Sequence, residues 1–136
     1  MPGIAEHADI ELAFVVLSAA LSHAELAARL GEPDELNESQ SGRFTVWQLT
    51  ERVDDSKAIS DALTRLTGRA LERVVKLESL RREPGAVDQV NLWVWAEVGE
   101  EGCGFTVAPQ VASDLARLDA NLHVRVWGWD EDPPSS

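Results

Sequence analysis

Histidine, cysteine and desolvated carboxylates carry most protein catalysis and metal binding, and this chain offers three histidines, one cysteine and 24 acidic residues. His7, His23 and His123 stand far apart, with no pair at the spacing that sets two ligands on one helix face, and Cys103 has no Cys or His beside it. No metal site is expected. Gly99, Gly102 and Gly104 surround Glu100 and Glu101, a charge that repels phosphate instead of cradling it. The same two glutamates disfavour a thiolate at Cys103. Acid–base work needs a carboxylate that is buried or closely coupled, and none falls inside an apolar run; Glu97, on the polar side of a strand, comes nearest. The sequence shows no recognisable catalytic constellation and implies no cofactor, which favours a non-enzymatic role while leaving an enzyme as the lesser alternative.

The positive signal is tryptophan. In residues 87–98, Val90, Leu92, Val94, Ala96 and Val98 share one parity, while Gln89, Asn91, Trp93, Trp95 and Glu97 share the other. Residues 122–129 repeat the pattern, with Leu122, Val124 and Val126 on one side and His123, Arg125, Trp127 and Trp129 on the other. Four of the five tryptophans thus fall on the polar parity of two strands, and Trp47, on the parity of Arg43 and Thr45, is placed to join them. An indole buries roughly 200 Å², so four left bare would exceed the apolar patch a monomer tolerates.

Three coverings are open. The middle helix or the N-terminal segment packs on the face. Alternatively, two copies meet there as a homodimer. In the third, a ligand or partner docks, with Trp93, Trp95, Trp127 and Trp129 as platforms and Arg125, His123, Asn91 and Gln89 as polar anchors.

The 136 residues suit one domain, and 44% apolar with 26% charged residues is ordinary globular composition. A lone cysteine fits a reducing compartment. The apolar run at 12–21 follows Glu6, Asp9 and Glu11 with no Lys or Arg, which is not a secretion signal, and it is too short to span a bilayer. A cytoplasmic protein is expected. Its net charge of −12 is unevenly spread. Residues 43–83 hold nine basic and seven acidic side chains, whereas the remainder holds three arginines and seventeen acids. Such a surface repels nucleic acid and anionic membrane and steers a basic protein partner.

These residues need elements to position them. Residues 1–9 read as a flexible lead-in, 10–129 as one domain, and 130–136 as an acidic tail. A first strand covers 10–17. Ser22 and Glu25 form a capping box for a helix that Gly31 and Pro33 end. Residues 32–42 are an acidic exposed loop, and 43–51 a strand. Ile59, Leu63, Leu66, Ala70, Val74, Leu77 and Leu80 recur at helical spacing, as one long helix or two broken near Thr67–Gly68. Strand 87–98, a turn at 100–104, a short return strand at 105–107, a helix opened by Pro109 and stopped at Asn121, and strand 122–129 complete the chain.

The order is β-α-β-α-β-β-α-β. The expected class is α+β: an antiparallel four- to five-stranded sheet with helices mainly on one face, ferredoxin-like in spirit. The run from Phe14 through Leu30 has an echo in the run from Phe105 through Leu118, each leading to a Val-Trp strand, as a duplicated β-α-β unit or a chance match of amphipathic patterns would have it.

With the elements placed, the chain resembles a bacterial family known only as domain of unknown function 4279. The similarity spans about residues 12–127 and rests on three segments: Leu21-Ser-His-Ala-Glu-Leu-Ala-Ala-Arg-Leu-Gly-Glu-Pro, the Val46-Trp47-Gln-Leu strand, and Gly104-Phe-Thr-Val-Ala-Pro before the last helix. These residues determine fold, and the family carries no established reaction or site to transfer. The functional expectation is a non-enzymatic binding or protein-interaction module using the tryptophan face. Two alternatives stand beside it: an acidic immunity or inhibitor protein for a basic toxin, and a small-molecule sensor or enzyme.

Overall fold

The alternation of the first strand organises the protein. In the computed structural model, which describes residues 9–39, 41–98 and 105–128, β1 (Asp9–Ser18) is the central strand of a five-stranded sheet. Its residues Ile10, Leu12, Phe14 and Val16 are fully or almost fully buried in the main core. The capping box then starts α1 (His23–Leu30): Ser22 Oγ accepts from the Glu25 N–H at 3.2 Å, and Glu25 Oε1 accepts from the Ser22 N–H at 3.1 Å. Gly31, at φ 95°, ends it in a conformation that L side chains rarely adopt.

The expected exposed loop contains a short strand, β2 (Glu35–Glu38), paired with β3 (Thr45–Val53). A single 3₁₀ turn, Ser56–Ala58, leads into α2 (Ile59–Leu71), followed by α3 (Val74–Arg81). The helix breaks at Glu72 and Arg73, not near Gly68. There the Arg73 N–H bonds back to the Ala70 carbonyl (2.9 Å), a three-residue step, and two β-branched residues follow. Gly68 is exposed, with nothing near the place a side chain would take, so the helix runs through it.

β4 (Gln89–Val98), α4 (Pro109–Leu118) and β5 (Asn121–Gly128) complete the fold. The sheet order is β2-β3-β1-β4-β5. It is mixed, not antiparallel throughout: β4 and β5 are parallel, because α4 carries the chain back to the starting end of β4. Residues 105–107 form no strand, so the expected return hairpin does not form, the element order differs from the expected one, and the internal echo has no strand at its second beginning. The last helix stops at Asp119, which is left-handed (φ 51°, ψ 48°), and Asn121 instead opens β5. β3 and β4 run parallel with β1 between them, a split β-α-β arrangement.

All four helices contribute their buried side chains to one core against one face of the sheet, together with Leu49, Val90, Leu92 and Val94. Lead-in residues 1–8, the turn at 100–104 with Cys103, Trp129 and the tail at 130–136 lie outside the described residues. No helix among the described residues is long and apolar enough to cross a membrane.

Candidate functional site

The other face of the sheet carries most of the residues expected to act as platforms and anchors. Its positions follow from register: Trp93 stands opposite Ala13 on β1 and His123 on β5, and Trp95 stands opposite Glu11 and Arg125. None of Ala13, Val15, Trp93 and Trp95 belongs to the core under the helices. The expectation that the middle helix covers this face is therefore corrected. Leu63 and Leu66 of α2 and Leu77 of α3 belong to the one buried core formed with the apolar stripes of β1 and β4, and α2 packs on β1 and β3 there.

Trp93 and Trp95 are half-buried, their rings 5.2 Å apart between centroids and within 1° of parallel. Residues two apart on a strand are separated by about 6.8 Å along it, so parallel rings at this distance stand on the sheet, stacked along the strand. His123 stacks on Trp93 at 4.1 Å and 16°. The three rings form one ladder in which Trp93 contacts both of the others.

Asn91, only 3% exposed, anchors the ladder. Its Oδ1 lies 3.1 Å from His123 Nε2 and 3.4 Å from Asn121 Nδ2, and its Nδ2 donates to Gln89 Oε1 at 3.2 Å. A buried amide is thereby satisfied at both ends. The structure thus brings Gln89, Asn91, Trp93, Trp95, His123 and Arg125 onto one face. Trp127 occupies the register position opposite Glu97.

Trp47 does not join them. It pairs with Val16, lies on the helix side and is completely buried. Its Nε1–H donates to the Gly31 carbonyl at 2.9 Å, Phe14 meets its ring edge-on at 6.5 Å, and the Arg73 guanidinium lies over it at 5.4 Å. Thr45 shares Trp47's side of β3 but is a half-buried polar residue at the strand's start on the helix side, opposite buried Ser18, and Arg43 precedes the strand, so neither marks the open face.

Two features of the face were not read from the sequence. Glu11 pairs with Arg52 at 2.5 Å across β1 and β3. Burial, the dominant cause, raises the Glu11 pKa; Arg52 opposes this, while Glu35 and Asp9 add to it. Asp9 also faces Glu97 directly across β1 and β4, a like-charge pair that costs stability. One end of the face is therefore acidic and the middle aromatic. The signal for this lay in the alternation of Asp9, Glu11 and Ala13 against Ile10, Leu12 and Phe14.

Among the described residues no group of three His, Cys, Asp or Glu side chains is placed to hold a metal ion. Chemically the arrangement can offer stacked aromatic surface, amide hydrogen bonding and negative charge, which is the equipment of recognition. Neither a family model, nor a curated protein, nor a solved structure matches this chain.

Proposed function

We propose that this chain is a non-enzymatic binding module whose Trp93–Trp95–His123 face receives a basic protein partner. The observation that carries the reading is an aromatic ladder on a sheet face that no described helix covers, with Glu11, Asp9 and Glu97 at its end. Aromatic surface supplies contact area, and indole faces next to carboxylates favour lysine and arginine side chains. The net charge of −12 would accelerate encounter with such a partner. An acidic immunity protein that neutralises a basic toxin is one form of this reading. Membership in the domain of unknown function 4279 family and a cytoplasmic location belong to the same proposal; they rest on the three matching segments and on the lone Cys103.

The test uses small basic proteins and an Arg/Lys-rich peptide, with an acidic peptide as control, followed by tryptophan fluorescence and calorimetry. Binding of a basic probe is expected to weaken as salt rises, and Trp95→Ala to weaken it at least about tenfold, as for a central aromatic anchor. Failure of every basic probe to bind, or equal binding by Trp95→Ala, would sink the reading.

A further inference from the structure

The two edges of the sheet are complementary, and we infer that β5 of one copy pairs with β2 of the next, continuing the sheet head to tail. β2 and β5 are the edge strands. Four large apolar side chains are exposed among the described residues, and three of them lie on these edges: Leu36 at 37%, Val124 at 43% and Val126 at 46%. All three share the helix side of the sheet, since Leu36 is in register with buried Trp47, Val124 with buried Val94, and Val126 with buried Ala96.

The edges also differ in charge. β2 carries Glu35 and Glu38, while β5 carries His123 and Arg125 and no acid. Neither Glu35 nor Arg125 has an ion-pair partner among the described residues.

Strand directions permit the junction. β2 is antiparallel to β3, β3 and β4 are both antiparallel to β1, and β5 is parallel to β4, so β2 and β5 run in opposite directions. A neighbouring copy in the same orientation would therefore present β2 to β5 as an antiparallel pair with all helices on one side. Setting Leu36 opposite Val124 places Glu35 opposite Arg125 and Asn37 opposite His123, each pair on a common face. Cross-strand pairs of opposite charge and of branched apolar residues are the ones that stabilise such a register. His23 Nε2 already lies 3.0 Å from the Asn37 carbonyl, so the junction depends on the Glu35–Leu36 end.

This contact is heterologous, so it does not close on a dimer. Sheet twist turns each added copy and gives an open helical chain of copies. The net charge makes copies repel at long range. Raising salt from about 0.01 to 0.15 M shortens the screening length from ~30 to ~8 Å and should promote assembly, the reverse of the effect on a basic partner.

Sedimentation and light scattering of the full chain over a concentration series test the inference, with far-UV circular dichroism checking the fold of each variant. Mass should rise past the dimer with concentration. Glu35→Arg and Arg125→Glu should each weaken association at least about tenfold, and the charge-exchanged double variant Glu35→Arg/Arg125→Glu should restore it. A monomer at every concentration and salt, growth that stops at a dimer, or a double variant no better than the singles would overturn the edge pairing while leaving the tryptophan-face reading to its own test.

Discussion

The imidazole of His123 lies on the indole of Trp93, with centroids 4.1 Å apart and planes 16° from parallel. The contact joins two parallel strands at one register position and is held from below by Asn91. His123→Ala should cost about 1–2 kcal/mol, combining a lost stacking contact with the loss of the shorter of the two hydrogen bonds to the buried Asn91 amide oxygen. His123→Phe keeps the stack and should recover part of that loss. Urea denaturation of the three proteins measures both quantities; equal stability of wild type and His123→Ala would show that the ladder contributes nothing to the fold.

Trp47 is the structural tryptophan. Trp47→Phe removes the N–H bonded to the Gly31 carbonyl, opens space in the core and changes the ring beneath Arg73. The expected loss is about 2–3 kcal/mol by denaturation. Binding of any partner on the opposite face should be unaffected at temperatures where the variant is folded, which separates this ring from Trp93 and Trp95.

Glu11 offers a pH test on the open face. Its pKa is raised in the folded protein, mainly by burial. A raised carboxyl pKa means that folding disfavours the charged form, so its favourable contribution is present at acid pH and is lost as pH rises through the folded value. Glu11→Gln should therefore be more stable than wild type at neutral pH, with the gap closing as pH falls below the carboxylate range. A gap that widens on acidification would show that the ion pair with Arg52 outweighs burial.

Asp34 should show the opposite sign. The Arg69 hydrogen bond (2.7 Å) is the first cause of its lowered pKa, offset in part by burial and aided by the Thr50 N–H (2.8 Å). Its contribution is present above the ordinary carboxylate range and is lost as pH falls through and below it. Asp34→Asn should cost about 1 kcal/mol or less at neutral pH, because the pair is partly solvated, and should match wild type at strongly acid pH. Melting temperatures across the acid range provide the check.

Local signals in the sequence were strong enough to stand alone. Ser22, Glu25 and Gly31 bound α1 through contacts a few residues apart, and the alternation in 90–97 and 122–126 separated the apolar stripe from the tryptophan stripe, because side-chain direction on a strand has a fixed period. That places Trp93, Trp95 and His123 together once β4 and β5 are neighbours. Tertiary structure decided the rest. Whether β5 runs parallel or antiparallel to β4 depends on where α4 delivers the chain. Trp47 and Trp93 look alike along the chain, yet one lies under the helices and the other on the open face. Parity divides a strand into two sides, but only the packing of distant helices determines which side they cover, and that energy comes from contacts between residues far apart in sequence.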